Sequence, residues 1–582
     1  MQTIGVGTVA NDGTGDTLRA AMGKVNTNFS ALFERQFWVD DAAADGVTDD
    51  ATAIQDVIDD AEAAGGGHVY LKAGTHKIGT TLSLPSNVVL IGQGSAVTIL
   101  KAKTALDAAV VQSDNYSTLI SSDTWLVASG NNHGFGLKHL SIDGNKANQS
   151  SGNGVNFYGK RFIVDDVIIT SCKGEGWHSE SNYNIPGTPA TDGTDMPEGR
   201  IDGLYIWQCD SHGFVFRGQH DTLIGSLFVG ECGGWGARFE TESGSPDRYS
   251  GNCDSGHIHV YANTSGGVYI GTNATHQGAF LISESNYGVG IQCDGWQVKI
   301  GTVQLYTNNR STGTYQMIVA GNECQFGKIH SKTAKSTKAH ISISGDQNQA
   351  DITIIGASTD GASGSIGGLS ITGDGNIVTA SLDGNTSAGI GIDLDGDGNT
   401  LTAQIQDYSA TGGIGLRTNQ STSHVGNTVT AYLLNCKTGW NNVQSGNLNS
   451  YNIRIYANAG QTMLSGVGPT ATDAVEDWNV RGYDTDTTKS HRSTIRKLTT
   501  STVDLNTTSE QIITETLDEM FGLTPEPEDV KFGLYYTGTN TTFAVQYLKL
   551  HSVSSSAIVW RVKLSTAAGG AATANISYEV SL

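Results

Sequence analysis

The sequence predicts an all-β chain wound into a solenoid of short strands. The first observation behind this prediction is a strand of the form Gly-h-x-h, where h is apolar, that recurs at roughly 21 to 28 residues. The second is a single amphipathic helix ahead of the strands, with no further helix to cover them. The third is the composition: 75 glycines suit sharp corners, and only 8 prolines leave the strand ladders intact.

The repeat is predicted over residues 37–465, and pairs of apolar residues define its inward side. A polar corner follows most pairs, and a second alternating strand follows the corner. This period suits one coil of three short strands, so we expect at least about ten coils. The inward pairs are Val155 and Phe157, Trp177 and Ser179, Phe214 and Phe216, Ala237 and Phe239, Val268 and Ile270, Val289 and Ile291, Ile341 and Ile343, Leu369 and Ile371, Ile390 and Ile392, and Ile414 and Leu416.

The helix ahead of the repeat is predicted over residues 48–64. Thr48, Asp49 and Asp50 offer side-chain oxygens to the unpaired N–H groups of its first turn. Apolar residues then recur at helical spacing from residue 53 to residue 61. An open solenoid end exposes unpaired backbone and apolar side chains. We therefore interpret this helix as a lid over the N-terminal end of the coils.

Short motifs around this helix are similar to the N-terminal signature of a known family. In order they are Asp45-Gly46, Thr48-Asp49-Asp50, Ala53-Ile54-Gln55, Gly65-Gly66-Gly67, Val69-Tyr70-Leu71 and Gly74-Thr75. They resemble the pectate-lyase-like right-handed parallel β-helices found in phage tailspikes. The resemblance implies a right-handed single-stranded parallel β-helix in a homotrimer. It does not select a chemistry, because that superfamily holds hydrolases, lyases and plain adhesins.

Residues 1–36 form a separate N-terminal segment with one short helix from Thr17 to Phe33. Its apolar stripe is too small to fold alone, so it must dock onto another copy or another protein. The string GTGDTLRAAMGKVNTNFSALF is similar to a segment at the front of many phage tail proteins, which implies attachment to a tail, baseplate or adaptor protein. A second lid for the solenoid is the alternative. The stripe consists of Leu18, Ala21, Met22, Val25, Phe29 and Leu32.

In residues 466–582 apolar and polar residues alternate in a pattern that differs from the repeat. Runs such as Phe532 to Tyr536 and Ile558 to Val562 are separated by turns rich in Thr, Ser and Gly. This pattern predicts a small antiparallel β-sandwich. In tailspike-like chains such a module closes the trimer or binds sugar, and these residues do not choose between the two.

The net charge of −23 argues against nucleic acid and anionic membranes as partners, because both are polyanions. No apolar run approaches the roughly 18 residues of a membrane span, and the first residues lack a secretory signal. We therefore expect synthesis in a host cytoplasm with reduced thiols. Cys172, Cys209 and Cys232 fall at one phase of the repeat, which predicts a stack of small apolar residues; a disulfide or metal ladder is the alternative.

Two long spacings locate the candidate working surface. The first is explained by the loop Ser181–Arg200, which holds three of the eight prolines, and the second by the loop Ser243–Asn252. Loops inserted in a solenoid gather on one face and carry binding. These two loops leave neighbouring coils, so we expect them to border one groove.

Glu180 and Glu240 are the candidate catalytic residues. Outward positions follow from the inward ones, because side chains alternate across a strand. The two glutamates lie two coils apart, so their backbones should be about 9.6 Å apart. A separation of about 6.5–9.5 Å between carboxyl groups suits an inverting glycosidase, and side-chain lean could bring it toward the roughly 5 Å of a retaining enzyme. The alternative is a solvated ladder in which Glu and Arg alternate to avoid facing like charges.

Further outward residues are predicted to bind substrate. His178, Arg217 and Arg238 are suited to holding a sugar carboxylate, as an acidic protein needs if it binds an acidic polymer. A lyase would instead use His178 or Tyr269 as the base, with Arg217 neutralising a uronate. The full set of predicted substrate-binding residues is His178, Arg217, Arg238, Glu242, Tyr269, Tyr158 and Trp235.

No cofactor is expected. One alternative is a weak calcium site at Asp393, Asp395 and Asp397, which match the front half of an EF-hand loop. The twelfth position of that loop is Gln404, where a bidentate Glu is expected. The match also coincides with a coil corner, so the predicted site contains no metal.

Taken together, the sequence predicts a homotrimeric phage tailspike on the virion tail that binds and hydrolyses a bacterial surface polysaccharide. Three alternatives stay open: a non-enzymatic receptor-binding spike, a polysaccharide lyase, and a secreted bacterial pectinase-like enzyme. The residues do not identify the sugar or the linkage. They also do not show whether the groove lies within one subunit or between two.

Overall fold

A computed structural model describes most of the solenoid and part of each terminal region. The described residues are 2–6, 8–9, 13–33, 36–121, 132–180, 199–218, 222–241, 250–310, 315–332, 339–356, 366–418, 424–443, 449–457, 461–466, 477–484, 494–498, 503–504, 511–516, 530–535, 544–553, 557–566 and 573–581. They form a right-handed parallel β-helix with few helices, as the sequence predicts. The chain divides into two compact units, residues 1–301 and 302–582.

The described residues of the first unit contain three α-helices, Leu18–Phe33, Ala51–Ala63 and Tyr116–Ser121, and a 3-10 turn at Lys146–Asn148. Its long-strand sheet comprises Gln36–Trp38, Asp45–Asp49, Gly67–Tyr70, Gly74–Ile78, Val88–Ile91, Thr98–Ala102, Gly136–Asp143, Phe162–Thr170, Gly199–Trp207, Thr222–Gly230, Ser250–Tyr261 and Ala274–Glu284. Its short-strand sheet comprises Leu82–Leu84, Val111–Ser113, Val155–Phe157, Trp177–Glu180, Phe214–Arg217, Trp235–Glu240, Gly266–Ile270 and Val289–Cys293.

The second unit repeats this division into two kinds of strand. Its longer strands are Lys299–Tyr306, which contains the boundary, Gln325–Lys332, Gln349–Ile355, Ile377–Asp383, Thr400–Gln406, Thr428–Leu434, Ser450–Ala457 and Asp477–Asp484. Its short-strand sheet comprises Met317–Val319, Ile341–Ile343, Ile366–Ile371, Ile390–Leu394, Ile414–Thr418, Thr438–Asn442 and Thr462–Gly466. The parallel pairing of Asp477–Asp484 with Ser450–Ala457 carries the ladder past residue 465, where the sequence predicts its end.

Two antiparallel sheets follow among the described residues of the second unit. One contains Thr494–Leu498, Val503–Asp504, Val530–Tyr535 and Thr573–Ser581, and the other contains Gln511–Thr516, Ala544–Val553 and Ala557–Thr566. The change from parallel to antiparallel pairing agrees with the change in the pattern of apolar and polar residues along the sequence. Packing of these sheets into a sandwich stays a prediction.

The predicted inward residues fill the core of the first unit. Val155, Trp177, Phe214 and Ala237 are paired rung to rung in the short-strand sheet, and each is buried. One part of the predicted alignment is wrong by two residues, because Val268 pairs with Ile291 instead of with Val289. Leu369 likewise pairs with Ile392, not with Ile390. A shift of two residues keeps the inward side inward, since side chains alternate with a period of two.

The helix Ala51–Ala63 packs its apolar face against the first strands, with Ile54 and Ile58 fully buried. The side-chain amide of Gln55 donates to the carbonyl oxygen of Ser83 (3.2 Å) and accepts from its N–H (2.9 Å). Ser83 belongs to the edge strand of the short-strand sheet. The helix therefore satisfies edge backbone groups that would otherwise stay unpaired.

The predicted cap of this helix is wrong in one detail. Asp50 occupies the N-cap position, but its carboxylate makes no capping hydrogen bond. It accepts instead from the N–H groups of Ala43 (2.7 Å) and Ala44 (2.9 Å) and contacts His76 Nδ1 at 3.0 Å. Asp49 takes the capping role, since its Oδ1 accepts the N–H of Ala51 at 3.2 Å.

Corners of the coils need left-handed backbone. In the second unit Gly375, Gly398 and Gly426 supply it, with φ between 64° and 72°. In the first unit Ser171 (φ 54°) and Glu231 (φ 57°) adopt the same conformation at a cost of about 1–2 kcal/mol each. Their N–H groups are bonded to the carbonyls of Trp207 and Tyr261 one coil ahead, which helps to hold the strained corner in place.

Ladders of identical side chains follow these corners. Cys172, Cys209 and Cys232 are buried free thiols, which confirms the stack predicted for them. In the second unit each asparagine of a buried column donates its backbone N–H to the side-chain oxygen of the next at 2.8 Å. This asparagine column consists of Asn348, Asn376, Asn399, Asn427 and Asn449. None of the helices among the described residues has the length and apolar character that a membrane crossing requires.

Candidate active site on the first unit

The outward side of the first unit's short-strand sheet carries a column of alternating charge. Glu180 pairs with Arg217 on the next strand, and Arg217 pairs with Glu240 on the strand after that. Each step is one inter-strand spacing of about 4.8 Å. The three backbones therefore follow one another in register, as the alignment of outward residues predicts.

Glu240 lies between two arginines. Its Oε1 accepts from Nε of Arg217 at 2.8 Å, and its Oε2 accepts from Nη2 of Arg238 at 2.5 Å. The residue is only 9% exposed. Each contact joins a guanidinium N–H to a carboxylate oxygen, which is among the stronger kinds of hydrogen bond. Glu240 is consequently well suited to positioning Arg217 and Arg238, since both of its oxygens are bound to them.

Arg238 extends the cluster toward an aromatic surface. Its guanidinium lies 5.2 Å from the ring centre of Tyr269, and the Tyr269 ring is 5.6 Å from that of Trp235. Burial and the neighbouring carboxylate of Asp294 raise the pKa of Tyr269. Its phenol therefore stays protonated at neutral pH and can donate a hydrogen bond but not act as a base.

A histidine and a carboxylate form a dyad beside this column. Nδ1 of His178 lies 2.5 Å from Oε2 of Glu175, and both side chains are largely buried. Burial by itself would raise the pKa of Glu175, but the hydrogen bond and charge interaction with His178, together with the charge of Arg217, lower it overall. An ionised Glu175 holds the proton of His178 on Nδ1. In the neutral ring Nε2 is then the nitrogen that accepts a proton.

A second histidine adjoins the dyad without duplicating it. Nδ1 of His212 accepts the N–H of Trp235 at 2.8 Å, and Nη1 of Arg238 lies 2.9 Å from its Nε2. Burial, together with the charge of Arg238, lowers the pKa of His212. His212 is therefore neutral near pH 7 and adds no positive charge to the cluster.

The structure brings His178, Arg217, Arg238, Tyr269 and Glu240 together, with Trp235 at their border. Other predicted residues stand apart. Tyr158 is only 1% exposed, so it presents little surface to a ligand. Glu242, the side chain of Glu180 and most of both predicted loops lie outside the described residues.

Glu175 and His212 are the site residues that the sequence analysis misses. Both precede the glycine that opens a strand, at Gly176 and Gly213, where the chain turns a corner and side-chain alternation fails. The signal that would reveal them is the repeat itself. They stand at equal distances before the inward residues Trp177 and Phe214, and the N–H of Gly176 bonds to the carbonyl of His212.

The alternative calcium site has no support in the structure. Both oxygens of Asp393 are bonded to Arg417, at 2.7 and 2.9 Å. Asp395 and Asp397 instead contact the two ring nitrogens of His424. No group of three or more metal-ligating side chains exists among the residues that the structure describes.

Comparison with known proteins adds a family and a set of relatives. Residues 40–183 match the family model described as rhamnogalacturonase A/epimerase, pectate lyase-like. The N-terminal coils are similar to that family over these residues. The matched stretch includes the lid helix, the His178–Glu175 dyad and the backbone of Glu180, and it ends before Arg217 and Glu240.

Curated relatives also match parts of the chain. Mannuronan C5-epimerase AlgE5 of Azotobacter vinelandii is 37% identical over 116 residues, which are 19% of this chain and 11% of the relative. Alginate lyase 7 of the same organism is 34% identical over 117 residues, 18% of this chain and 12% of the relative. The chain thus spans about a ninth of the length of these relatives.

Solved structures that resemble this one include enzymes and phage proteins. The A-module of mannuronan C-5 epimerase AlgE6 from Azotobacter vinelandii has a TM-score of 0.39 at 17% identity, covering 77% of this chain and 99% of the module. Tailspike gp61 of Pseudomonas phage phi297 has a TM-score of 0.37 at 11% identity, covering 94% and 99%. Gene product 12 of bacteriophage phi29 has a TM-score of 0.46 at 11% identity, covering 94% and 82%.

Proposed function

We propose that this chain is a homotrimeric phage tailspike, made in the host cytoplasm and carried on the virion tail, that binds and cleaves a bacterial surface polysaccharide containing uronic acid. The observation that carries the proposal is the His178–Glu175 dyad, set on the outward side of the coils within reach of the charge of Arg217. The similarity to tailspikes and to alginate-acting relatives supports the same proposal.

The dyad suits proton abstraction next to a carboxylate. Glu175 fixes the tautomer of His178, and Nε2 takes the proton from the sugar carbon that bears the uronate group. The guanidinium of Arg217 balances the charge that develops on the uronate. The electron pair of the broken C–H bond forms a carbon–carbon double bond as the glycosidic C–O bond breaks. The departing oxygen receives a proton from the imidazolium or from water.

Hydrolysis by Glu180 and Glu240 is the second candidate. The register supports it, because the two backbones lie two rungs apart on the same side of the sheet. The contacts of Glu240 weigh against it, since each of its carboxylate oxygens is already bound to an arginine. Elimination by His178 assigns no proton transfer to Glu240, so we place it first.

The test is incubation of the full chain with alginate and with a panel of uronate-containing bacterial capsules. New absorbance of an unsaturated uronate supports elimination, and new reducing ends without that absorbance support hydrolysis. Binding without either product would leave a receptor-binding spike, and inversion at C5 without cleavage would contradict the proposed cleavage. Absence of both binding and product across the panel would overturn the proposal.

Attachment to the phage through residues 1–36 belongs to the same proposal. The segment contains the helix Leu18–Phe33. A tail, baseplate or adaptor protein is the proposed partner, by similarity to other tail proteins. Deleting residues 1–36 should then abolish incorporation into virions while leaving the purified chain able to act on polysaccharide.

A further inference from the structure

The helix Leu18–Phe33 exposes its apolar side. Leu18 is 80% exposed, Met22 51% and Phe29 56%. Exposed apolar side chains on one face of a helix mark an interaction surface, because a monomer normally turns that face toward its core. The solenoid therefore does not cover the face formed by these residues.

The polar side of the same helix is covered by the start of the chain. Nζ of Lys24 bonds to the carbonyl of Thr3 at 2.9 Å and to Asp16 at 2.8 Å. The side chain of Asn28 donates to the carbonyl of Gln2 at 2.7 Å. The first residues thus run along the hydrophilic side of the helix and leave the hydrophobic side open. In a self-contained fold the hydrophobic side would be the covered one.

The spacing of the apolar residues says what covers them. They recur at intervals of four, three, four and three residues, which places them on one side of the helix and matches the heptad spacing of a coiled coil. Every residue of this seam is uncharged, in a chain whose net charge of −23 otherwise makes copies repel each other. The seam consists of Leu18, Met22, Val25, Phe29 and Leu32.

We infer that this helix forms a parallel coiled coil with the same helix of other copies of this chain. A helix of 16 residues is too short to associate strongly alone. Tethering to an assembled shaft raises the local concentration of the helices, so even a short seam closes. The number of helices, three, rests on the proposed homotrimer; the contact between seams does not.

The assignment separates two roles within residues 1–36. Contact between copies uses the apolar seam, and contact with the phage tail uses the outer surface that the seam leaves exposed. Thr27 belongs to that outer surface, since it is exposed and stands at the heptad position farthest from the seam.

Oxidative cross-linking of the full chain tests the inference. Phe29→Cys puts a thiol in the seam, and Thr27→Cys is the matched control on the outer surface. The seven native cysteines are buried, so the unmodified chain supplies the blank. A disulfide needs Cα atoms within about 7 Å, which seam positions of neighbouring helices approach and outer positions do not. We expect Phe29→Cys to form covalent dimers on denaturing gels at least about ten times faster than Thr27→Cys.

Equal cross-linking of the two variants, or none in either, would overturn the inference, and the second result would favour another protein as the occupant. Met22→Cys repeats the test one heptad earlier if Phe29→Cys does not fold. Sedimentation of the unmodified chain gives the number of copies independently. The cross-link is scored without substrate, so failure of the proposed chemistry leaves this result readable.

Discussion

In the first unit, the outward side of the short-strand sheet brings Arg217, Arg238 and Glu240 into direct contact, with a histidine–carboxylate dyad beside them. In the second unit, one outward column of its own short-strand sheet carries Ser342, Ser370 and then Asp393, which pairs with Arg417. The backbone pairing is of the same parallel kind in both. The two units differ in the side chains that occupy the outward positions and the adjoining corners.

The two kinds of ion pair differ in what they leave available. Asp393 and Arg417 satisfy each other through two parallel hydrogen bonds, and their side chains are 4% and 11% exposed. Glu240 instead divides its oxygens between two arginines. The closed pair of Asp393 and Arg417 links two neighbouring strands. A shared carboxylate keeps two guanidinium groups side by side, as the proposed binding of an anionic substrate requires.

The largest expected effect is on the dyad. His178→Asn should lower the cleavage rate about 10²–10⁴-fold, because it removes the group that accepts the proton. The matched control is His424→Asn, which removes a histidine that contacts Asp395 and Asp397 in the second unit. Initial rates on a polysaccharide cleaved by the unmodified chain give the comparison. An equal loss in both variants, or none in either, would remove the distinction between the two units.

Stability in acid should not differ between the two units in the way that activity does. His276 in the first unit and His340 in the second are buried, and burial lowers the pKa of each from 6.5 to about 4. Their unfolded forms bind more protons between these values, so stability falls as the pH drops from about 6.5 to about 4, by up to about 3 kcal/mol for each histidine. Unfolding at several pH values should show His276→Gln and His340→Gln each removing part of this dependence. An unchanged dependence in the double variant would contradict the assignment.

Substrate affinity should respond to Arg217. Arg217→Gln should raise KM about 10- to 100-fold, the range expected when a hydrogen bond to a charged group is lost. The matched control replaces the closed pair of the second unit by neutral amides, Asp393→Asn with Arg417→Gln, and should leave KM unchanged. A KM that does not respond to Arg217→Gln would mean that the substrate carboxylate binds elsewhere.

The smallest effect is expected at the thiols of both units. The hydrogen bond with Cys172 and burial raise the pKa of Cys209, and burial raises that of Cys436 to about 12. Thiolates are the reactive form, so these cysteines should resist a thiol reagent until the chain unfolds. Labelling followed by mass measurement should show no modification of the folded protein and no change with reductant. Rapid labelling of any of the seven would contradict the buried ladder.

Much of the fold is predictable because the same apolar pattern recurs in many coils. The burial of Trp177 and Phe214 follows from apolar residues that recur at one phase. The alignment slips by two residues at Val289, where several apolar residues offer equivalent pairings. An even slip preserves the facing of every side chain, so the outward column survives it.

The site is less predictable, for a physical reason. Alternation identifies Arg217 and Glu240 as outward residues, but it does not reveal that Arg238 reaches the same carboxylate from two positions away along its own strand. It also fails at corners, which hides Glu175 and His212. Asp50 shows a similar limit, since a residue with the right type for a helix cap binds backbone groups of another segment.

The asparagine column of the second unit has a consequence for how such a chain changes over time. Successive members are 28, 23, 28 and 22 residues apart, yet each hydrogen bond has the same length of 2.8 Å. The chain between successive asparagines can therefore vary in length. It must always complete one whole coil, so that the next asparagine returns to the column. Genetic duplication or loss of complete turns would preserve every bond, and we expect natural length variants of this shaft to differ by such modules.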